Sequence, residues 1–558
     1  MKRILLTLAF SISITGIAQS NSPLTANFNK LPQESIYAHT NNDFLLTGET
    51  LYYKIYCFDT NKNFSDYSKV AYIELINSDN VSVLKQKVNL KDGNGNGDFF
   101  INTDVKTGTY KLAAYTQWMQ NKQAFFEKNI FIVNPFSDKL KSTVEGKSNS
   151  SVSSTIPSVN NTSINLFNGL QSSYGTRQKI TLDFINNLNF DGKISISVKQ
   201  KSNLNLPSGT NGKEVSTSNL VNKSNIYLPE LRGSIIQGTV TSKTEGTKIP
   251  NVLLSLSLKG NHDYLPQTAL TNDAGEFYFN MLDVDVDKIS IQILDKEREN
   301  YDIQLKEKGI VKTNFDDFPE MTVDQKTIDV IKNRSIYSQI ENAFYTVKKD
   351  SILKTSKKDP LFNQIKKTYV LDDYKRFKTV RETFIEVIEG AGFVKRNDSY
   401  KISITDSDAS ETLNYLPSLL IIDGHIVYDH NDLIGYNSRK IKSISVVSDK
   451  YYYGNAIYQG IIIVDTFKKD FIANTKGTKD FTIQPVQPEK LYFFQQHETN
   501  NQRIPDYRTQ LYWNPNLNLT QKQLSFYTSD VTGEFEIDAQ GFTKDGKFVS
   551  VKKTFTVN

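Results

Sequence analysis

The sequence predicts a mainly β protein, in which tandem β-sandwich domains are combined with one small α/β domain. Apolar side chains recur at every second position through most of the chain, and Gly, Asn and Asp separate these runs. That period is typical of strands that bury one face. It changes to a helical period over residues 325–347 and in part of 369–471. A chain of 558 residues allows roughly three to four domains.

Composition excludes several classes of protein. Hydrophobic residues make up 38% and charged residues 23%, which is typical of a globular chain. The 66 basic and 61 acidic side chains leave a net charge of only +5, so the balance gives no support for nucleic-acid binding. A single cysteine excludes disulfides within the chain and zinc sites built on several cysteines. The residues predict no metal and no cofactor.

The N-terminus predicts export. Residues 1–18 have a basic start at Lys2 and Arg3, a short apolar run, and small residues at Gly16 and Ala18. This pattern is that of a secretory signal peptide, although a buried first strand is the alternative. No later run is long and apolar enough for a transmembrane helix. We therefore expect an exported protein that is periplasmic or associated with the outer membrane.

Residues 27–136 predict the first β-sandwich. The strand expected over residues 49–58 places four side chains on one face: Leu51, Tyr53, Ile55 and Cys57. Cys57 is thus expected to be a small buried hydrophobic residue. The segment 92–98 (DGNGNGD) predicts a tight turn, because Gly and Asn accept positive φ. Residues 137–162 are rich in Ser, Thr and Asn and predict a linker.

Two further β units and a helical linker follow. Residues 163–226 predict a second small β-sandwich with a polar loop, and residues 227–310 predict a third. Residues 311–368 predict a linker that contains an amphipathic helix over 325–347. The expected apolar stripe of that helix consists of Ile328, Ile331, Ile340, Phe344 and Val347.

Residues 369–471 predict the α/β domain, and residues 485–558 a C-terminal β-domain. Thr379 and Glu382 have the spacing of a capping box, which predicts a short helix after Thr379. Apolar runs at 419–422, 441–447 and 460–465 predict three strands.

Two of these units resemble known modules. Residues 32–51 (PQESIYAHTNNDFLLTGETL) and 98–118 (DFFINTDVKTGTYKLAAYTQW) resemble the macroglobulin-type, immunoglobulin-like sandwich of the alpha-2-macroglobulin family. Residues 228–233 (LPELRG) and 271–279 (TNDAGEFYF) resemble a carboxypeptidase regulatory-like domain. Despite its name, that module is a sandwich without catalytic residues, so the resemblance implies no reaction.

The α/β domain resembles the plug of TonB-dependent outer-membrane receptors. The motifs are residues 419–424 (LLIIDG), 441–447 (IKSISVV), 453–454 (YG) and 460–466 (GIIIVDT), in the family's order. Such receptors close a barrel of about 22 strands around the plug. Only 87 residues follow residue 471, whereas about 22 strands of about 10 residues each would need roughly 220. We therefore expect a plug-like domain without its barrel, and no transport by this chain alone.

Candidate catalytic and metal-binding motifs are incomplete. Residues 497–501 (HETNN) begin like the zinc motif HExxH but lack the second histidine. Asp92 starts a calcium-loop pattern, but Thr103 replaces the expected glutamate, so a hairpin turn is favoured. Asp283, Asp285 and Asp287 would lie on one face of a strand, which predicts a solvated face rather than a cation site. His425 and His430 are predicted at turn or surface positions.

These expectations lead to a non-enzymatic cell-envelope protein that acts as an interaction or scaffold module. The predicted partner is an outer-membrane or periplasmic protein. The predicted surface for it consists of Asp423, Gly424, Tyr451, Tyr452, Tyr453 and Gly454. Adjacent tyrosines suit an interface, although two of them would also suit a core. The alternative is an accessory of TonB-dependent nutrient uptake that binds a glycan or peptide ligand, and an undetected hydrolase is a third hypothesis.

Overall fold

The computed structural model describes most of the chain after residue 30. The described residues are 31–137, 165–185, 192–202, 204, 206, 212–215, 226–259, 264–281, 286–306, 315–320, 325–353, 366–396, 398–405, 416–454, 456–471, 476–497 and 503–558. The predicted signal peptide, nearly all of the predicted linker 137–162, and two of the three aligned aspartates, Asp283 and Asp285, lie outside these residues.

The first sandwich contains β1 (Ser35–Thr40), β2 (Phe44–Leu46), β3 (Thr50–Phe58), β4 (Val70–Ile76), β5 (Ser82–Asn89), β6 (Asn94–Phe100), β7 (Gly108–Thr116) and β8 (Phe125–Val133). One sheet has the order β1-β3-β6, and the other has β8-β7-β4-β5 with β2 parallel to β8. The predicted inner face of β3 is confirmed, and Cys57 is fully buried in the core. The turn predicted over residues 92–98 is confined to Asp92 and Gly93, which both have positive φ, because residues 94–98 belong to β6 and pair with β3.

The next segment contains β9 (Phe167–Asn168), β10 (Ser173–Tyr174), β11 (Lys179–Phe184), β12 (Gly192–Gln200) and β13 (Lys213–Val215). These strands do not close a sandwich among themselves. β13 pairs antiparallel with β8 and extends the first sandwich, while β11 and β12 lie in different sheets.

The third sandwich contains β14 (Ser234–Ser242), β15 (Leu253–Leu258), β16 (Gln267–Leu270), β17 (Glu276–Met281), β18 (Lys288–Ile293) and β19 (Tyr301–Leu305). One sheet has the order β17-β14-β19, and β15 lies between β16 and β18 in the other. Inward side chains such as Val240, Leu254, Phe277 and Ile291 form its core, which the alternating pattern predicted.

The helix α1 (Gln325–Ala343) follows, then β20 (Ser351–Ile352). The helix was predicted, but its buried face differs from the predicted stripe. The buried side chains are Thr327, Ile331, Arg334 and Ser338, whereas Val347 lies beyond the helix and is 55% exposed. The reason is that Arg334 forms a bidentate ion pair with Glu49 of the first sandwich, at 2.7 and 3.0 Å, so this polar side faces inward.

The α/β unit, residues 366–471, contains β21 (Lys366–Val370), α2 (Val380–Glu386), β22 (Ala391–Arg396), β23 (Ser399–Ile404), β24 (Leu419–Ile422), β25 (His425–Ile426), α3 (Asn431–Ile434), β26 (Ile441–Tyr453) and β27 (Ala456–Thr466). Its main sheet has the order β21-β26-β27-β24-β25, with β24 parallel to β27. The predicted capping box is present at the start of α2, with Thr379 and Glu382 both bonded. All three predicted strands are confirmed.

The chain then returns to the earlier modules with β28 (Thr478–Thr482), β29 (Lys490–Leu491), β30 (Gln510–Asn514), β31 (Gln523–Tyr527), β32 (Gly533–Thr543) and β33 (Phe548–Val557). β28 pairs with β18 and completes the third sandwich. β29 pairs with β20, and nearby Val486 bridges to Lys87 of the first sandwich.

The last four strands join β9–β12 in one module, here named the split sandwich. Its sheets have the orders β10-β33-β32-β12-β30 and β31-β11-β9. The sequence predicted separate units at 163–226 and 485–558, and the structure corrects this prediction. Neither half alone has two complete sheets to enclose a core, whereas together they bury one continuous cluster that includes Leu182, Val198, Phe526 and Ile537.

The modules are nested by this return of the chain. The α/β unit is inserted between β19 and β28 of the third sandwich, which is itself inserted between β12 and β30 of the split sandwich. The first sandwich packs on the split sandwich through the outer face of its β1-β3-β6 sheet. Tyr52, Tyr56 and Phe58 of β3 contact Trp513 and Phe542 there. The β1-β3-β6 sheet is therefore covered on both faces.

Candidate functional site

The predicted partner surface begins at the turn between β24 and β25. Asp423 and Gly424 have φ values of 47° and 79°, which suits a two-residue hairpin turn. The Asp423 side chain is only 2% exposed. Its carboxylate accepts hydrogen bonds from the Thr466 amide (2.8 Å), the Thr466 hydroxyl (2.6 Å) and the Phe471 amide (3.2 Å). Asp423 thus fastens the end of β24 to the end of β27 and lies in the interior of the unit.

Two of the three predicted tyrosines lie in a contact between modules. Tyr451 and Tyr453 pack with Tyr458 against Leu253 and Leu265 of the third sandwich. The Tyr453 hydroxyl donates a hydrogen bond to the Pro266 carbonyl, and burial raises the pKa of this tyrosine. These side chains therefore attach the α/β unit to its own neighbour.

Tyr452 lies on the opposite face of the β26–β27 hairpin. It is 77% exposed, and Ile457, its partner across the hairpin, is 40% exposed. Gly454 has a φ of 61° next to the hairpin tip, and a Cβ atom there would collide with the Thr268 hydroxyl. The structure thus brings four of the six predicted residues to this hairpin, and of the three tyrosines only Tyr452 faces outward.

The sequence did not predict a charged cavity between the first and the split sandwich. It has a volume of about 240 Å³ and lies where β1 ends and the polar face of β32 is no longer covered. Its lining consists of Tyr37, Thr40, Asn42, Asp43, Lys128, Lys199, Lys201, Ser202, Leu206, Glu536, Asp538, Gln540 and Lys552. The polar residues alternate along β12 and β32 with core residues, which in sequence is also the pattern of a solvated face.

Two ion pairs form opposite walls of this cavity. Lys128 lies 2.6 Å from Asp43, and Lys552 lies 3.3 Å from Asp538. Burial by itself would raise the pKa of both aspartates, but neighbouring side chains outweigh it and hold both pKa values below the ordinary range. These are Lys128 and Lys199 for Asp43, and His39, Lys552 and Lys199 for Asp538. Both carboxylates are therefore ionised at neutral pH, and the ion pairs are maintained.

Lys199 and Glu536 lie between these pairs on neighbouring strands. They are directly opposite in the β12–β32 register. Burial lowers the pKa of Lys199, although the nearby Asp43, Asp538 and Glu536 counteract part of that effect. Neither the ammonium of Lys199 nor the carboxylate of Glu536 has a hydrogen bond or an ion pair within the part of the chain that the structure describes. Both groups are therefore available to a molecule in the cavity.

A second polar cluster lies deeper in the same interface. His39 Nδ1 is 2.7 Å from Ser195 Oγ, which is also 2.9 Å from the Tyr56 hydroxyl. Burial lowers the pKa of His39 to about 4, so the ring is neutral at physiological pH. Ser195 is completely buried. Because a substrate cannot reach this Ser–His pair, its evident role is to join the two sandwiches.

Two other histidines that sequence analysis singled out have structural contacts. The prediction of a surface position is wrong for His430, which is 4% exposed because its ring accepts a hydrogen bond from the Ile402 amide at 2.9 Å. His497 lies 2.9 Å from Asp506, which also pairs with Arg508. The other residues of the HETNN motif lie outside the described part of the chain.

Among the described residues, no group of three or more His, Cys, Asp or Glu side chains is placed to hold a metal ion. Likewise, none of the helices in the described ranges has the length and apolar character needed to cross a bilayer.

Comparisons with known proteins find distant structural similarity. No family model matches the chain, and no curated protein matches it. An alpha-2-macroglobulin from Salmonella, reacted with methylamine, aligns over 94% of this chain and 39% of its own, with 8% identity and a TM-score of 0.23. A trypsin-activated alpha-2-macroglobulin from Escherichia coli aligns over 94% and 41%, with 9% identity and a TM-score of 0.23. Dimeric latent PorU from Porphyromonas gingivalis aligns over 50% and 34%, with 9% identity and a TM-score of 0.17. The chain thus spans about two fifths of the length of these macroglobulins, and TM-scores this low support no inference about function.

Proposed function

We propose that this chain is a non-enzymatic, exported scaffold protein of the cell envelope that presents its α/β unit to an outer-membrane or periplasmic protein. The proposal rests on the β26–β27 hairpin. One face of the hairpin is held by the third sandwich through Tyr451, Tyr453 and Tyr458, and the other face carries the exposed Tyr452 and Ile457. A large aromatic ring held on a fixed strand costs little entropy to bind, which is favourable for a protein interface.

The modular arrangement supports the same role. Strands that return from elsewhere in the chain complete three of the four modules: β13 extends the first sandwich, β28 completes the third, and β30–β33 complete the split sandwich. The third sandwich, which holds the hairpin, is therefore tied to the others by more than one crossing of the chain. The resemblance of the α/β unit to a receptor plug favours a partner in the outer membrane, and the N-terminal pattern favours export. A protein that holds one module in a fixed position on several others is suited to bringing other proteins together, and this role requires no catalysed reaction.

Site-specific crosslinking in intact cells tests the proposal. A photoreactive phenylalanine analogue at position 452 is expected to trap an envelope protein that mass spectrometry identifies. The matched control carries the analogue at Tyr345, which is 57% exposed but lies beside α1 in another part of the molecule. No adduct at position 452, or the same adducts at both positions, would contradict the proposed surface.

Two further measurements complete the test. Tyr452→Ser is expected to lose the copurified partner while its circular dichroism spectrum is unchanged, because the side chain makes little contact within the molecule. The purified chain is expected to show no turnover of ester, peptide and glycoside substrates. Turnover of any of them would contradict the non-enzymatic part of the proposal.

A further inference from the structure

The charged cavity has groups that the fold does not use. Its walls are fixed by the Lys128–Asp43 and Lys552–Asp538 pairs, one on each side of the interface between the first and the split sandwich. The facing groups of Lys199 and Glu536 have no bonded partner among the described residues. Both groups are half-buried, and the charges around them compensate only part of the hydration that Lys199 loses. Their hydrogen-bonding capacity is left to a ligand or to water.

We propose that this cavity binds one neutral, hydroxyl-rich small molecule of about the size of a single sugar ring. The proposed scaffold role does not require such a ligand, so the two proposals can fail independently. The cavity volume of about 240 Å³ lies below the range of drug-sized sites, which favours a ligand of one ring.

The mixture of charges determines the chemical class. Asp43, Glu536 and Asp538 would repel a carboxylate or phosphate, while the four lysines that line the cavity would repel an amine. A hydroxyl group can donate one hydrogen bond and accept two. A polyol therefore satisfies ammonium and carboxylate groups together without adding a charge to the interface.

The register assigns complementary roles to the two unpaired groups. Lys199 is expected to donate to one ligand hydroxyl, and Glu536, directly across the β12–β32 pair, to accept from a neighbouring one. The ion-paired lysines and aspartates would mainly maintain the shape of the site, because their strongest contacts are already formed. Ser202, beside the cavity mouth, offers a further hydroxyl.

Titration calorimetry and saturation-transfer NMR with the full chain test the proposal. The probes are glucose, galactose, mannose and N-acetylglucosamine, with glucuronate and glucosamine as charged analogues of the same size. Saturable binding of at least one neutral sugar is expected, with both charged analogues weaker. No binding by any neutral sugar, or tighter binding of glucuronate or glucosamine, would overturn the proposal.

Variants then locate the site. Lys199→Met and Glu536→Gln are each expected to weaken sugar binding about tenfold or more, because each removes a charge-assisted hydrogen bond. Lys179→Met is the matched control, since this lysine is an exposed side chain on β11 of the other sheet of the split sandwich. Unchanged melting temperatures show that the fold is retained. Equal affinity in all three variants would place any bound sugar elsewhere and overturn the assignment.

Discussion

Replacing Asp423 with alanine is expected to destabilise the α/β unit by at least about 3 kcal/mol. The substitution leaves the amides of Thr466 and Phe471 without their acceptor in a buried position. Each unsatisfied amide costs about 1–3 kcal/mol, and the Thr466 hydroxyl loses its partner as well. Alanine at a φ of 47° adds about 1 kcal/mol, because this region favours Gly, Asn and Asp.

Hydrogen exchange followed by mass spectrometry measures this effect where it occurs. Fluorescence would not, since both tryptophans, Trp118 and Trp513, lie outside the α/β unit. Amides of β24 and β27 that exchange through opening of the unit are expected to exchange at least about 100-fold faster, since about 1.4 kcal/mol corresponds to a factor of ten. Peptides from the first sandwich are expected to retain their wild-type rates.

Two variants distinguish the carboxylate contacts from a general effect of mutation. Asp423→Asn tolerates the same φ and retains one acceptor oxygen, so an intermediate acceleration is expected. Asp465→Ala removes a carboxylate of β27 that is about one-third exposed and pairs with Lys469, and a pair of this kind contributes at most about 1 kcal/mol. If β24 and β27 exchange at wild-type rates in Asp423→Ala, the structural role of Asp423 is refuted, and Asp423 is again a candidate for the partner surface.

Three further predictions follow from the contacts between modules. Burial lowers the pKa of Lys54 to about 7, so between pH 7 and 10 the unfolded chain binds more protons than the folded chain. The stability of wild type relative to Lys54→Met is therefore expected to rise by about 3 kcal/mol from pH 7 to 10 in denaturant titrations, and a constant difference would contradict this. Arg334→Met leaves Glu49 without its ion-pair partner and is expected to lower the free energy of unfolding by about 3–5 kcal/mol. Proteolysis within α1 is expected to be faster, and resistance to proteolysis equal to that of wild type would count against the pair. In a chain that ends at residue 497, the amides of β11 and β12 are expected to lose their protection from hydrogen exchange, and to regain it when fragment 503–558 is added as a separate chain. Protection in the truncated chain alone would disprove the split sandwich.

Local features of the fold were predictable because their causes are local. The alternation in β3, the helix start at Thr379 and the turn at Asp92 each depend on residues within a few positions of one another. The split sandwich was not predictable in the same way. The β12–β32 pair joins residues more than 300 positions apart, and an alternating strand specifies which face is buried without specifying its neighbour.

The sites were less predictable, because exposure depends on the arrangement of modules. Tyr52, Lys54 and Tyr56 alternate with core residues and therefore suggest a solvated face of β3, yet all three contact the split sandwich. Asp423 suggests a surface turn, and its conformation is that of a turn, but Thr466 at the end of β27 and Phe471 after it supply donors to its carboxylate from more than 40 positions further along the chain. The motif thus predicted the backbone correctly and left the surroundings of the side chain undetermined.

Nesting has a consequence for any partner that binds the β26–β27 hairpin. The third sandwich is completed by β28, and the chain then passes along the first sandwich, where Lys490 lies 2.9 Å from Asp98. Displacement of the hairpin together with the third sandwich would therefore strain β28 and the segment around Lys490 that is paired with the first sandwich. A partner at Tyr452 would thus act on a surface whose orientation the other modules fix, and binding there would lose little conformational entropy. Lys490→Met, which removes the ion pair with Asp98 and loosens the attachment of residues 484–492 to the first sandwich, is accordingly expected to weaken partner capture at position 452 while Tyr452 itself is unchanged.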